Sequence, residues 1–320
     1  MKQPLAVGID IGGTNTTFGI VDRRGNLLYD GHISTRDHQE VSFFIQALYD
    51  QLAPLIQKVT LEGGEVKGIG VGVPNGNYFK GTIEFAPNLP WRGVVPLASL
   101  IQDTFTLPTV LTNDANAAAI GEMTYGAARG MKDFIMITLG TGLGSGIVVN
   151  GQLVYGHDGF AGELGHVIVF PEGRRCGCGR KGCLETYVSA TGIVRTMHEL
   201  LQSRDIPSLL RDMNPTAITS KTIRDAALKG DALAIEAFEF TGKILGQQLA
   251  NFVAFSSPEA IILFGGLTRA GDLIFRPTIH AMEENLLQIY KNKIKVLPSE
   301  LKESDAAILG ASALVWEIKN

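Results

Sequence analysis

The segment LAVGIDIGGTNTTFGIV (residues 5–21) contains two apolar runs separated by a glycine-rich tip. The run Leu5–Asp10 predicts a buried strand that ends in an acid, and Thr17–Val21 predicts its partner. The tip Gly12-Gly13-Thr14 therefore lies in a β-hairpin, whereas dinucleotide-binding and Walker loops both lead into a helix. Its backbone N–H groups and its hydroxyl suit a phosphate, and Asp10 is placed to hold Mg²⁺ through water. A plain tight hairpin is the alternative that this segment alone leaves open.

The same pattern returns in DFIMITLGTGLGSGIVV (residues 133–149). Here Gly140-Thr141-Gly142-Leu143-Gly144 is the glycine-rich tip between two strands. Internal duplication of this kind predicts two similar lobes with a cleft between them. Two such hairpins facing each other across a cleft would grip a polyphosphate from both sides. The pair therefore favours phosphate binding more strongly than either segment alone.

The rest of the chain alternates predicted strands and helices around these hairpins. After the first hairpin we expect strands at residues 27–34, 67–73 and 109–112, and helices at 41–59, 96–105 and 115–128. After the second we expect strands at residues 152–155, just after 166, 260–264 and 293–297, and helices at 184–201, 222–228, 231–255, near 272, at 277–290 and from Ser304. A third glycine loop, Gly265-Gly266, follows one of these strands. The order predicts an α/β fold in which parallel strands extend a three-strand meander.

All three cysteines of the chain lie within eight residues, in Cys176-Gly177-Cys178-Gly179-Arg180-Lys181-Gly182-Cys183. His166 precedes the first of them by ten positions. Three thiolates and one imidazole make a complete tetrahedral set for zinc. A site with four protein ligands has no open position, which makes it structural rather than catalytic. A chance cluster or a redox pair is the alternative.

Asn113-Asp114 is the best catalytic candidate, because it comes at the end of a predicted strand and beside a helix start. An aspartate there can accept the proton of a substrate hydroxyl that attacks a γ-phosphate, and such transfer asks for little beyond positioning, a base and Mg²⁺. The alternative is that Asp114 caps the helix that starts at Ala115. Polar residues in glycine-rich surroundings have the hydrogen-bonding capacity that a polyol needs: Asn88, Asn113, Glu163, His166 and Glu185.

The bulk properties exclude several classes of protein. A chain of 320 residues is long enough for two domains with their own cores. A net charge of −4 and a pI of about 5.9 give no attraction to nucleic acid or an anionic membrane. We expect no signal peptide and no membrane span, and three thiols committed to a metal fit a reducing cytoplasm.

Taken together, these motifs resemble the ROK family of sugar kinases and, within it, the bacterial glucokinases. The specific part is Glu163-Leu164-Gly165-His166 followed by the cysteine segment and Leu184-Glu185. Asp10–Thr14 and Leu139–Gly144 resemble the two phosphate motifs of the family. Asn113-Asp114 resembles its catalytic pair, Asn88 stands where the family places a sugar ligand, and Gly265-Gly266 resembles its adenosine-side glycines.

The resemblance implies an actin-like ATPase fold (hexokinase or ribonuclease H-like), with two lobes and an interlobe cleft. It implies a small lobe of residues 1–115 plus about 302–320, and a large lobe of residues 116–301 with the zinc loop. It also implies ATP with Mg²⁺, transfer to the 6-hydroxyl of a hexose, a homodimer, and a final helix that crosses back to the first lobe. Asn15 and Leu267 depart from the family pattern, in which Lys and Gly are common, and leave the nucleotide preference open.

Several functional alternatives stay open at this point. Glucose leads as the substrate, with N-acetylmannosamine, N-acetylglucosamine, fructose, mannose and allose behind it, because motifs do not encode pocket shape. A non-catalytic, sugar-responsive ROK regulator is less favoured, because such repressors carry a DNA-binding domain ahead of the core and the first phosphate motif here starts at Asp10. A zinc hydrolase would need an open metal position, which a His-Cys₃ set lacks.

Overall fold

The computed structural model describes residues 2–302 and 305–318. The strands and helices of the first part of the chain are, in order, β1 (Gln3–Ile11), β2 (Asn15–Asp22), β3 (Leu27–Ser34), α1 (Val41–Leu61), β4 (Gly64–Gly72), β5 (Gly76–Asn77), β6 (Thr82–Glu84), β7 (Val94–Val95), α2 (Leu97–Phe105), β8 (Thr109–Thr112) and α3 (Asp114–Tyr125). Strands β1, β2, β3, β4 and β8 form one sheet in the order β3-β2-β1-β4-β8. Its first three strands are antiparallel, and β4 and β8 extend it in parallel.

The second part of the chain repeats this plan. Its elements are β9 (Phe134–Leu139), β10 (Leu143–Val149), β11 (Gln152–Leu153), α4 (Ala190–Ser203), α5 (Ser220–Ala227), α6 (Ala232–Ser256), β12 (Ala260–Phe264), α7 (Asp272–Asn285), β13 (Lys295–Pro298) and α8 (Ala306–Ala313). The sheet order is β11-β10-β9-β12-β13, again with three antiparallel strands and two parallel additions. The duplication predicted from the two glycine hairpins is therefore confirmed at the level of topology.

Each sheet buries one face under its own helices. On the first sheet, α1 contributes Phe44, Leu48 and Leu52, which are fully buried because they recur at helical spacing on one face. On the second sheet, α6 packs along α7, and its buried residues share one core with those of β9 and β12. Each fully buried leucine or phenylalanine contributes on the order of 2 kcal/mol relative to an exposed position. Among residues 2–302 and 305–318, no helix combines the length and apolar character needed to cross a bilayer.

Helices α3 and α8 pack against each other between the two sheets. Each lies on the sheet formed by the other half of the chain. Helix α8, from the end of the chain, lies on the first sheet, where a methyl group on Gly8 would come within 2.0 Å of the Ile308 carbonyl oxygen. Helix α3, from the first half, lies against β10, where a methyl group on Gly146 would lie 2.7 Å from the Ala119 Cβ. The expected return of the final helix to the first part of the fold is confirmed for the described residues, although Ser304, its expected start, lies outside them.

Three local expectations were wrong. One helix, α7, replaces the two expected around Pro277, which fits inside the helix because its ring packs closely on Gly242 of α6. Residues 184–201 form a 3₁₀ turn, Leu184–Thr186, followed by α4, because the Ser189 side chain caps a new helix by accepting from the Gly192 N–H.

The strand expected after His166 is only an isolated bridge between Ile168 and Cys183. The small sheet of β5, β6 and β7 was not expected, since its strands are two or three residues long.

Candidate active site and metal site

Asp10 and Asp114 come together at the carboxyl ends of β1 and β8, on either side of β4. The residue between them is Gly72, the last of β4, where a methyl group would lie 3.6 Å from Asp10 Oδ1 and 3.7 Å from Asp114 Cα. The absence of a side chain at this position leaves space between the two acids. The carboxyl edge of a parallel sheet is also where ligands bind in such folds.

The two carboxyl groups have raised pKa values. Burial, with added repulsion from Asp114, raises the pKa of Asp10 to about 7. Burial by the surrounding protein also raises the pKa of Asp114, although its side chain is accessible from the crevice. A base with a raised pKa accepts a proton more readily near neutral pH, and two adjacent carboxylates attract a divalent cation.

Asn113 and Asp114 have different roles at the start of α3. The Ala115 N–H lies 2.8 Å from Asn113 Oδ1, and Asn113 is the N-cap residue of the helix. The alternative that Asp114 is the cap is therefore wrong. The same N–H lies 2.8 Å from Asp114 Oδ1, which orients that carboxyl group at the first helical position.

The first glycine hairpin is closed by a hydrogen bond from the Gly12 N–H to the Asn15 carbonyl oxygen at 3.0 Å. Gly13 lies directly against the loop that carries Asn88, since a methyl group on Gly13 would come within 2.4 Å of the Asn88 carbonyl oxygen. The Thr14 carbonyl accepts from the Thr35 N–H at 2.9 Å, so the tip is held from behind by the segment after β3. Asn88 is itself exposed and lies on this hairpin.

The second glycine hairpin is held by the start of α4. The Ala190 N–H donates to the Gly140 carbonyl at 2.9 Å, and the Thr191 hydroxyl donates to the Thr141 carbonyl at 2.8 Å. A methyl group on Gly142 would lie 2.7 Å from Glu185 Oε2, so this hairpin touches a predicted sugar ligand. Gly144 approaches the Ala115 side chain of α3, which brings the hairpin to the helix that begins with Asp114.

The third glycine loop lies beside the second hairpin. Gly265 has a φ of +106°, which favours glycine, and a methyl group there would lie 2.7 Å from the Leu139 carbonyl oxygen at the end of β9. Gly266 lines a cavity of about 280 Å³ together with Lys221, Arg224 and Phe238. Sequence reasoning missed these three residues, because α5 and α6 carry no motif that marks them.

The predicted sugar residues other than Asn88 form one group around Asp114. Asn113 and Glu163 line the same small cavity. Burial raises the pKa of Glu163, nearby His166 lowers it, and repulsion from Asp114 and Glu185 raises it further. His166 lies 3.9 Å from Glu163 (Nε2 to Oε2) and 3.7 Å from Glu185 (Nδ1 to Oε1).

Ser145 is a further residue that sequence reasoning missed. Its hydroxyl donates to the Gly162 carbonyl and accepts from the Leu164 N–H at 3.2 Å. These two bonds hold the backbone on both sides of Glu163. Its position directly after the second glycine hairpin is the one signal that could have found it.

His166, Cys176, Cys178 and Cys183 form a group whose ligand atoms all lie within 4.8 Å of one another. The Cys178 and Cys183 sulfurs are 3.6 Å apart, and the Cys176 sulfur is 3.7 Å from His166 Nδ1. Ligand atoms around a tetrahedral zinc ion lie about 3.5–3.8 Å apart, so the geometry and the donor set fit zinc. Nδ1 of His166 faces the sulfurs, which leaves Nε2 on the side of Glu163.

Two sheets of equal topology, a glycine hairpin in each and an acidic crevice at their carboxyl ends define an actin-like ATPase fold. The model of the ROK family matches residues 6–318, so the chain belongs to the ROK family. The structure thereby confirms the expected fold class, and the match confirms the family resemblance.

Individual relatives cover most of this chain. It is 36% identical to a glucokinase from Streptomyces coelicolor over 278 residues, which is 85% of each protein. A ROK family glucokinase from Streptomyces griseus, solved in complex with glucose and AMPPNP, is 34% identical, superposes with a TM-score of 0.79, and matches over 97% of this chain and 98% of that one. A xylose repressor from Caldicellulosiruptor bescii is 30% identical over 97% of this chain and 77% of its own length.

Proposed function

We propose that this protein is an ATP-dependent hexose kinase that transfers the γ-phosphate of ATP to the 6-hydroxyl of glucose. The observation that carries the proposal is the position of Asp114, in one crevice with Asp10 and beside the polar group of Asn113, Glu163 and Glu185. Both glucokinases described above support glucose as the sugar.

In this proposal Asp114 is the catalytic base. Its carboxylate accepts the proton of the 6-hydroxyl as that oxygen attacks the γ-phosphorus, and the bond from the γ-phosphorus to the bridging oxygen of ADP breaks. The raised pKa of Asp114 makes it a stronger proton acceptor than an ordinary aspartate. Asn113, as the helix cap, fixes the start of α3 and with it the direction of the neighbouring carboxylate.

The nucleotide would lie between the glycine hairpins. Residues assigned to its phosphates are Gly12, Gly13, Thr14, Gly140, Thr141, Gly142 and Gly144, whose backbone N–H groups and hydroxyls suit an anion. Asp10 would hold Mg²⁺, which when bound neutralises charge on the transferred group. Gly265 and Gly266 would face the adenosine, in the cavity that Lys221 and Arg224 also line.

The sugar would lie on the other side of Asp114. Asn113, Glu163, His166 and Glu185 supply donors and acceptors from the large lobe, and Asn88 supplies them from the small lobe. The proposed lobes are residues 1–115 with about 302–320, and residues 116–301. Their closure would bring Asn88 on its hairpin toward the other sugar ligands and exclude water from the reaction.

We also propose that His166, Cys176, Cys178 and Cys183 bind one structural zinc ion per chain. Zinc would join the ligand His166 to the loop that leads into Glu185, so that the loop and the sugar site are fixed together. Elemental analysis of purified protein should find one zinc per chain. Cys178→Ser should lose the zinc and weaken glucose binding, whereas unchanged glucose affinity in the metal-free variant would separate the loop from the sugar site.

Two further proposals concern the cellular compartment and the oligomeric state of the protein. A chain that relies on three thiolate ligands fits a reducing cytoplasm. As a ROK family member it is also proposed to be a homodimer, which light scattering of the purified protein would test.

A coupled assay of ADP release with ATP and Mg²⁺, over a panel of hexoses, tests the main proposal. The panel contains glucose, mannose, fructose, allose, N-acetylglucosamine and N-acetylmannosamine. The highest kcat/KM is expected for glucose. A higher value for another sugar would reassign the substrate within the same reaction. Sugar binding without ADP release from any of them would favour the sugar-responsive regulator.

A further inference from the structure

Arg174 uses every N–H group of its side chain in hydrogen bonds within the protein. Its side chain is 8% exposed and lies two residues before the first cysteine of the metal loop. Nε donates to Glu199 Oε1 at 2.9 Å, Nη1 to the carbonyls of Thr186 and Gly192 at 2.8 and 3.2 Å, and Nη2 to Thr196 Oγ1 at 2.9 Å and Glu199 Oε2 at 2.5 Å. A guanidinium has five such donors in a fixed plane, and here all five have an acceptor.

These bonds join three pieces of the chain. Thr186 ends the 3₁₀ turn that presents Glu185, and Gly192 and Thr196 belong to the first turns of α4. The guanidinium also lies over the ring of Tyr187, 4.4 Å from its centroid, and the Tyr187 hydroxyl accepts from the Arg174 backbone N–H at 2.8 Å. The backbone next to Glu185 is therefore fixed by Arg174 at several points.

None of the four residues that the Arg174 side chain contacts by hydrogen bonds is a candidate metal ligand. Arg174 reaches the metal loop through its own backbone, where the Gly182 N–H donates to the Arg174 carbonyl at 2.8 Å. The metal site and the guanidinium thus support the same turn from two directions. The hydrogen bonds of the Arg174 side chain involve none of the candidate metal ligands, so they do not depend on a bound ion.

We propose that Arg174 is a positioning residue for sugar binding, which holds Glu185 in place without acting through the metal. The inference rests on the proposed hexose kinase function, in which Glu185 is a sugar ligand. Lysine is a poor replacement here, because its ammonium is a single point with three donors and cannot match a planar set of five acceptors. The carbonyls of Thr186 and Gly192 would each lose one donor, and the turn would relax.

The main test compares Arg174→Lys with the wild type in steady-state kinetics and zinc content. Loss of hydrogen bonds to the two carbonyls should raise the KM for glucose about tenfold. The kcat should stay within about threefold, since Asp114 is untouched, and the zinc content should remain one per chain. A folded Arg174→Lys protein with an unchanged KM for glucose would overturn the proposal. So would a loss of zinc that accounts for the rise in KM.

Two control variants sharpen this result. Arg175→Ala removes a neighbouring, exposed arginine from the same loop, and its KM should match the wild type. Glu199→Ala breaks the ion pair but leaves the bonds to Thr186 and Gly192; because Glu199 is 60% exposed, its KM should rise less than threefold. A rise in Glu199→Ala equal to that in Arg174→Lys would assign the effect to the ion pair and overturn the role of the carbonyl bonds.

A second measurement keeps the inference separate from the proposed function. Amide hydrogen exchange of a peptide covering residues 184–192 needs no catalysis, and it should be faster in zinc-loaded Arg174→Lys than in the wild type. An unchanged rate of amide exchange in Arg174→Lys would overturn the positioning role. Absence of wild-type activity on every hexose would contradict the kinase proposal but not the positioning role. If Arg174→Lys does not fold, Thr196→Val removes one acceptor; it should raise the KM for glucose about twofold and also speed the exchange, and no change in either would contradict the proposal.

Discussion

The two glycine hairpins occupy equivalent places in sheets of equal topology, yet their chemistry differs. The hairpin between β1 and β2 follows Asp10, whereas the position that corresponds to Asp10 at the end of β9 is Thr138. Asp10 lies next to Asp114 and has a pKa raised to about 7. Thr138 is neutral, and its hydroxyl accepts from the Gly144 N–H at 3.1 Å within its own hairpin.

The residues that pack behind the tips of the two glycine hairpins also differ. The first tip rests on the Asn88 loop, and the second is held by the start of α4 and touches Glu185. The comparison teaches that topology was duplicated while charge was not. One hairpin brings an acid that suits a divalent cation, and the other brings neutral groups that suit phosphate oxygens and a sugar ligand.

The largest expected effect tests the acid that faces both hairpins. Asp114→Asn should lower kcat by about 10³-fold, because the amide keeps the shape of the carboxylate but does not accept the proton. Glucose binding measured by calorimetry should stay within a few-fold of the wild type. Full activity in this variant would contradict the role of Asp114 as the base.

The next largest effect is expected from replacing Asp10, at the end of β1, compared with Thr138, at the corresponding end of β9. Asp10→Asn should lower kcat/KM for ATP by up to about 100-fold and raise the Mg²⁺ concentration needed for activity, as loss of a metal-orienting carboxylate does. Thr138→Val, at the corresponding position in the second half, should change both by less than about threefold. Equal losses in the two variants would mean that the acid has no special role.

A smaller effect is expected in the stability of the ligand-free protein. An aspartate whose pKa is raised from 3.8 to about 7 binds its proton more tightly in the folded state, so its stabilising contribution is complete below pH 4 and is lost as pH rises through 7. Each pKa unit corresponds to about 1.4 kcal/mol, and we expect a loss of about 2 kcal/mol or more between pH 5 and pH 8.

Denaturant unfolding of the wild type and Asp10→Asn at these two pH values isolates that contribution. Loss of the proposed zinc ion at low pH would affect both proteins alike, so the difference between them reports Asp10. The variant should lose less stability than the wild type as the pH rises. Parallel curves for the two proteins would contradict a raised pKa at Asp10.

The smallest effect separates two glycines of the second hairpin. Gly142→Ala places a methyl group 2.7 Å from Glu185 Oε2, so the carboxylate must move, and the KM for glucose should rise about three- to fivefold. In Gly140→Ala the new methyl group has no atom within 4 Å apart from its own residue and its chain neighbours, so the KM for glucose should stay unchanged within about twofold. Similar values for both variants would mean that the hairpin does not set the position of Glu185.

Much of the fold was predictable because its signals are local. The strand bounds Leu27–Ser34, Thr109–Thr112 and Ala260–Phe264 match the expectations from apolar runs and turns, and the hairpins were found from their glycines. Expectations failed where a distant contact decides. Pro277 stays inside α7 because Gly242 of another helix makes room for it, and nothing near Pro277 in the chain signals this.

The sequence by itself determined the two strand–hairpin–strand units, the four candidate metal ligands and the acid after β8, since each depends on neighbours or on residue type. Only the tertiary structure decided that Asp10 and Asp114 flank one glycine, that α3 and α8 exchange sheets, and that Arg174 finds five acceptors. Those facts depend on backbone atoms that approach from far along the chain, and a carbonyl group is the same in every residue. Residue identity therefore predicts which chemistry is available, and packing decides where it is assembled.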